Sequence, residues 1–247
     1  MPTADRRLSR IVTEIADDQR GQSMASTTAR AYDELRTILL SGAYPPNTRL
    51  TEADLTARLG ISRGTLRSVL ARLVQKGYLV SEANRGVWTR YFSVDEAQEI
   101  LETRELLESA LAARAAQRAT NEDIAGLKEI VQQMSEVDHA GGREEYSRLI
   151  RHFHERIRET ARQQTLSNYI EMLLYPLVLR QYRPIDASRP RPDSLAEQQA
   201  ILSAIVTHNP DAAAAAMRHH VSAAHSVLHL TEPDSEPTEG RASGAKS

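Results

Sequence analysis

The sequence predicts a mainly α protein with two parts: a winged helix-turn-helix of three helices and a β-hairpin, then an all-helical antiparallel bundle. Three observations lead there. Apolar residues recur at helical spacing through most of the chain, and only one short stretch switches to strand-like runs. Hydrophobic residues make up 40% of the chain but aromatics only 4%, which favours helices packed through aliphatic stripes. Charge is also divided unevenly. Residues 25–92 hold ten basic and five acidic side chains, whereas residues 93–230 hold fifteen and twenty, so the first segment alone suits a polyanionic partner.

In the first segment, Ala31, Leu35, Ile38 and Leu39 form one helical face that ends at Ser41-Gly42. The turn Pro45-Pro46-Asn47 follows. Thr51 is placed to cap a short helix, with Asp54 reaching back in a capping box and Gly60 as its left-handed stop. Ser62 caps the next helix, whose inward residues are Leu66, Val69, Leu70 and Leu73, and Gly77 ends it. Tyr78-Leu79-Val80 and Val87-Trp88-Thr89 read as two strands around the turn 82–86.

The second segment reads as six helices near 95–119, 121–139, 143–160, 163–181, 194–208 and 210–229. Their starts are marked by Ser93, Thr120-Asn121, Gly141-Gly142 and Asn209-Pro210-Asp211. The connection 183–193 holds three prolines and is expected to be extended. The domain plan is therefore a flexible arm at 1–24, a winged helix-turn-helix domain at 25–92, an all-helical domain at 93–230, and a disordered tail at 231–247.

The composition excludes several classes. With no cysteine, there is no disulfide framework, thiol nucleophile or cysteine zinc site, in keeping with a reducing cytoplasm. No apolar run approaches the length of about 18 residues that a membrane helix needs, and the N-terminus lacks a secretion signal, so cytoplasmic localisation without a membrane partner is expected.

The stretch Gly60-Ile61-Ser62-Arg63-Gly64-Thr65-Leu66-Arg67 carries the nucleic-acid chemistry. The N-terminus of a second helix enters the major groove, and its free N–H groups attract phosphate. Ser62 and Thr65 are short enough to approach the DNA backbone or a base edge. Arg63 and Arg67, four apart, share a face, and the arginine fork suits guanine or phosphate. Arg85 and Gly86 stand at the hairpin tip, where a wing can probe the minor groove.

The segment Ala31 to Arg90 resembles the N-terminal domain of GntR-family regulators. The resemblance rests on Tyr32, Leu35-Arg36, Ile38-Leu39, Gly42, Pro45-Pro46, Arg49-Leu50-Thr51-Glu52, Leu55, Leu59 to Arg63, Leu66-Arg67, Leu70, Leu73, Gly77-Tyr78-Leu79 and Arg85-Gly86. It implies DNA contacts by Ser62, Arg63, Thr65 and Arg67, with Arg85 and Gly86 in the wing. Two positions depart from the pattern. Asn47 replaces a usual glycine but tolerates the same backbone, and Ala53 replaces a frequent DNA-contacting arginine. The run 102–116, Phe153-His154 and Ala216 to Val221 resemble the FCD domain of the FadR subfamily.

Many FCD domains hold a divalent metal with one Asp and three His. Here Ile150 stands at the Asp position, His154 and His220 match two ligands, and Gln198 takes the place of the third histidine. Ile and Gln replace a charge and a nitrogen donor poorly, so no metal cofactor is expected, and His154 and His220 are weak metal candidates. His152 and His154 point different ways, and His225 and His229 read as a surface pair. Arg104 lies on an apolar face with Leu101, Leu107, Leu111 and Ala115. Either it pairs internally with Glu108, or it clamps the carboxylate of a small organic anion effector. His154, Gln198 and His220 join it as candidate effector-binding residues, with Tyr175, Arg180 and Tyr182 as weaker ones.

A sequence-specific regulator, with double-stranded operator DNA and a second copy of itself as partners, fits these features, and the resemblance implies repression relieved by effector. One rival is a metal-dependent helical-bundle enzyme, which needs facing Glu-x-x-His pairs that the sequence lacks. The other is an architectural DNA-binding protein indifferent to effector, for which a polar residue inside a helical core has no use.

Overall fold

The computed structural model describes residues 26–83, 85–140, 142–182, 193–226 and 228. The arm at 1–24, the tail at 231–247 and nearly all of the proline-rich connection lie outside the described residues. Two compact units emerge. One ends at Tyr91 and also includes Asn168–Gln181; the other runs Phe92–Ser167 and resumes at Tyr182.

In the first unit, helix α1 covers residues 26–41. Strand β1 (Arg49–Leu50), helix α2 (Glu52–Leu59), helix α3 (Arg63–Gln75) and strands β2 (Leu79–Glu82) and β3 (Gly86–Thr89) follow. The caps fall where the sequence places them. The Thr51 side chain accepts from Asp54 N, that of Ser62 accepts from Thr65 N, and Gly60 closes α2 at φ 62°. Leu35, Leu55, Leu66, Val69, Leu70, Leu73 and Leu79 make the core. Asn47 adopts φ 57°, so the turn survives without glycine.

The hairpin is one strand richer than expected. β1 pairs antiparallel with β3 (Arg49 opposite Trp88, Leu50 opposite Val87), giving the sheet order β1-β3-β2. Thr89 secures the junction: its hydroxyl donates to Pro45 O at 2.6 Å and accepts from Thr48 N at 2.7 Å. Two residues are too few to show strand alternation, which hid β1.

The second segment folds as helices α4 (Val94–Arg118), α5 (Asn121–Ala140), α6 (Arg143–Ala161), α7 (Gln164–Met172), α8 (Tyr175–Tyr182), α9 (Ser194–Val206) and α10 (Pro210–His225). The expected helix 163–181 is two helices. Leu174 takes φ 54°, and Pro176, which has no N–H to donate and whose ring crowds the preceding turn, sits in the first turn of α8. The stretch Asn168–Gln181 falls within the sequence range expected for the helical domain but groups with the first unit. Arg180 Nε donates to Leu40 O at 3.3 Å at the end of α1. The Arg180 side chain fills the space where a Cβ on Gly42 would stand, and Leu174 lies against Gly77. These contacts bind the segment to the DNA-binding fold.

Within the second unit α4 is central, packing on α6, α9 and α10, while α5 packs on α6 and α9. Leu101, Leu111, Leu127, Met134, Tyr146, Phe153, Ile157, Ile201 and Met217 fill the core. One acidic residue ties two helix ends together. Asp123 accepts from Thr120 N at 3.0 Å and from Arg162 Nη2 at 2.7 Å, while Thr120 caps Asp123 N at 3.2 Å. Burial opposes its charge, but the Thr120 and Arg162 hydrogen bonds outweigh burial and hold its pKa at about 2. A depressed carboxylate stabilises the fold above its unfolded pKa, and that stabilisation is lost as pH falls toward the folded value. Asp123→Ala is expected to destabilise the second unit by about 2 kcal/mol at neutral pH. Denaturant titrations at several pH values should also show a shallower loss of stability between about pH 4 and pH 2 than in the parent protein.

Candidate nucleic-acid interface and buried polar centre

The N-terminal turn of α3 projects from the first unit. Ser62, Arg63 and Gly64 are exposed, and Thr65 is half-buried. Ser62 Oγ and Thr65 Oγ1 lie 2.9 Å apart, so both hydroxyls help shape the cap and still stand at the helix tip. Arg67 is pinned. Its Nε and Nη2 donate to the two carboxylate oxygens of Glu52 at 3.0 and 3.4 Å. That hydrogen bond lowers the pKa of Glu52, with the charges of Arg67 and then Arg63 adding to it. Glu52 thus holds Arg67 beside the first turn of α2.

In the wing, Arg85 pairs with Glu82 at 3.4 Å, and Gly86 takes φ 101°. The Arg49 guanidinium lies 3.6 Å from where a Cβ on Gly86 would stand. Arg49 is therefore a wing residue that sequence reasoning did not single out. Its signal was the strand β1, which was itself missed. Other basic residues serve the fold. Arg72 stacks 4.0 Å over the Tyr32 ring, and Arg36 Nε donates to the Tyr78 hydroxyl at 2.8 Å.

The second unit buries a continuous polar chain drawn from four helices. Arg104 and Glu108 come from α4, His154 from α6, Glu197 and Gln198 from α9, and His220 from α10. All six are buried, Gln198 completely. Arg104 Nε pairs with Glu108 Oε1 at 3.4 Å, and His154 Nδ1 meets Glu108 Oε2 at 3.1 Å. His154 Nε2 and His220 Nε2 are 3.2 Å apart. His220 Nδ1 meets Glu197 Oε2 at 2.7 Å, and Gln198 Nε2 lies 3.2 Å from His220 Nε2.

Proton accounting follows from this chain. Each Nδ1 faces a carboxylate and so carries a hydrogen. Both Nε2 atoms would then present lone pairs to each other, unless one ring holds a second proton. Burial first, then the charge on His154, pushes the His220 pKa down to about 3, so His220 is the neutral ring of the pair at neutral pH. Burial opposes the charge on Glu108, yet His154 and Arg104 outweigh it and bring its pKa to about 2.

The candidates Arg104, His154, Gln198 and His220 are therefore brought together, and the internal Arg104–Glu108 pair is present. Glu197 was missed, because a lone buried Glu beside the aligned Gln198 carries no periodicity signal. His225 differs from a surface residue. Half-buried, it has its pKa lowered to about 4 by burial and then by the Arg104 charge. His229 lies outside the described residues.

Two imidazole nitrogens converge, but both carboxylates are turned to the outer Nδ1 atoms, and Ile150 and Gln198 supply neither charge nor a strong donor. Among the described residues, no three His, Asp or Glu side chains are grouped to hold an ion.

Comparison with known proteins accounts for both units. The model of bacterial regulatory proteins of the gntR family matches residues 27–88, and the FCD domain model matches residues 99–223. The chain belongs to the gntR family, in the branch that carries an FCD domain. The Nta operon transcriptional regulator of Aminobacter aminovorans is 33% identical over 99 residues, which is 40% of this chain and 47% of that protein. The HTH-type transcriptional repressor RspR of Escherichia coli K12 is 24% identical over 206 residues, 83% of this chain and 90% of that one. The match spans about half to two thirds of the length of the first such relatives. The E. coli McbR/YncC structure shares the fold, with a TM-score of 0.69 at 22% identity over 82% of this chain and 96% of that chain. No helix among the described residues is long and apolar enough to cross a membrane.

Proposed function

We propose that the chain is a cytoplasmic transcriptional repressor. It binds a short palindromic operator as a homodimer and responds to a small organic anion in the helical unit. The observation that carries the DNA half is the exposed N-terminal turn of α3, with Arg63 exposed and Arg67 held by Glu52, in the same unit as a glycine-tipped wing. One recognition helix reads only a few base pairs, so two copies related by a two-fold axis supply specificity economically. Repression is supported by the RspR relative, which is named a repressor. The family is one of regulators rather than enzymes, and the buried centre offers no nucleophile beside a base for a catalytic alternative.

The effector half rests on Arg104. A guanidinium inside a core requires an anion, and Glu108 fills that role here. A small carboxylate entering the centre would compete for the same fork and redistribute the contacts that α4, α6, α9 and α10 share. No resident metal is part of this reading; the organic anion is met by Arg104 and His154, with Gln198 and His220 beside them.

Three outcomes test the proposal. Arg63→Ala and Arg67→Ala should each weaken operator binding by about 1–3 kcal/mol without lowering the melting temperature. Fluorescence anisotropy with duplex operator at moderate salt reads this, and an unchanged affinity for either variant removes that side chain from the interface.

For the metal, the purified protein should hold well under one zinc or nickel per chain, and chelator should leave its melting temperature unmoved. Stoichiometric metal after dialysis would contradict the metal-free centre.

Arg104→Lys keeps a charge for Glu108 but loses the planar fork. Operator affinity without ligand should be retained, while the concentration of small carboxylate needed to alter DNA binding rises about tenfold or more. A normal response in Arg104→Lys, or a neutral effector, would show that Arg104 serves only the Glu108 pair.

A further inference from the structure

We propose that the solvent-facing stripe of α4 is the interface between two copies of this chain, packed antiparallel about a two-fold axis passing near Leu106. The inference rests on the homodimer reading above and deepens it by assigning the surface and the orientation.

The inner face of α4 is spoken for by Leu101, Leu111 and Ala115 and by the buried Arg104–Glu108 pair. The opposite face is also apolar at its middle. Leu106 is 66% exposed, among the most exposed large hydrophobic residues described. Ala110 is exposed and Ala113 half-exposed; with Leu106 they fall at i, i+4 and i+7, which puts them on one line along the helix. An exposed leucine in line with two small alanines gives a second helix a short apolar strip to cover.

Charge indicates what covers it. The exposed acids Asp95, Glu99 and Glu102 precede Leu106, and the exposed Arg114 follows it. Asp95 has a local reason, since it lies in the first turn of the helix. Glu99 and Glu102 lie beyond that turn. A parallel copy would set acid against acid. An antiparallel copy sets the acidic half against the basic half twice over, because a two-fold axis repeats every contact. With the axis at Leu106, that residue meets the partner's Leu106, and Ala113 falls opposite the partner's Glu99, within reach of Arg114. The small side chain of Ala110 permits a close approach, on the order of 8 Å between axes. The helix has 25 residues and so spans about 37 Å, long enough for a continuous seam.

The chain contains no cysteine, so a single introduced thiol reports on its own symmetry mate. Full-length Leu106→Cys, mildly oxidised at micromolar concentration, should run as a covalent dimer on a non-reducing gel. Gln117→Cys should not, because antiparallel copies of that position are about 33 Å apart. Glu99→Arg and Arg114→Glu should each weaken dimerisation about tenfold by sedimentation, and the double exchange should restore it. Coupling at both cysteine positions would overturn the antiparallel arrangement. A dimeric parent protein whose Leu106→Cys variant stays uncoupled, with an unchanged melting temperature, would overturn this interface and leave the homodimer reading standing. A parent protein that sediments only as a monomer would overturn both.

Discussion

Glu108 is a carboxylate buried inside the helical unit, and its neighbours are arranged to answer its charge. Arg104, one turn earlier on the same helix, answers from one side and His154 on α6 from the other. The requirement then passes outward. His154 turns its second ring nitrogen to His220, and His220 in turn uses its Nδ1 on Glu197. Each link is satisfied only because four helices bring their side chains to one line. Apolar packing would tolerate small slips between these helices; a hydrogen-bonded chain of charges does not. The polar centre therefore fixes the relative placement of α4, α6, α9 and α10 more sharply than their leucines do.

The same economy governs the DNA-reading tip. Arg67 is not a loose side chain waiting for a groove, because Glu52 holds its fork in the free protein. This exposed pair contributes little to stability. Its effect is on choice: an arginine that must leave or share a carboxylate gains less from a bare phosphate than from a partner that matches its planar geometry. If Arg67 meets DNA, as proposed, Glu52 would work against indiscriminate binding to the duplex.

What could be read from the sequence was whatever has a local cause. Gly60, Ser62 and Thr51 announce helix ends because their own backbone or side-chain chemistry makes those ends. The core positions of α3 follow from spacing alone. What could not be read has distant causes. β1 is a strand only because Val87 and Trp88 lie beside it. Pro176 disturbs a helix by its own chemistry, but the left-handed φ of 54° at Leu174 has no local cause in a leucine. Arg104, His154, Gln198 and His220 could be brought together through the family resemblance, whereas Glu197 became visible only once α9 and α10 were set side by side.

The grouping of Asn168–Gln181 with the first unit has an evolutionary consequence. The chain passes between its two units at three places rather than one, so no single crossover in the gene exchanges one unit whole. A hybrid joined near Tyr91 would carry a foreign α8 to the end of α1, where a side chain must fit over Gly42 as Arg180 does. Diversification by shuffling is thus constrained by a short segment encoded within one domain and matched to the other. Lineages that trade helical domains must trade, or repair, that segment as well.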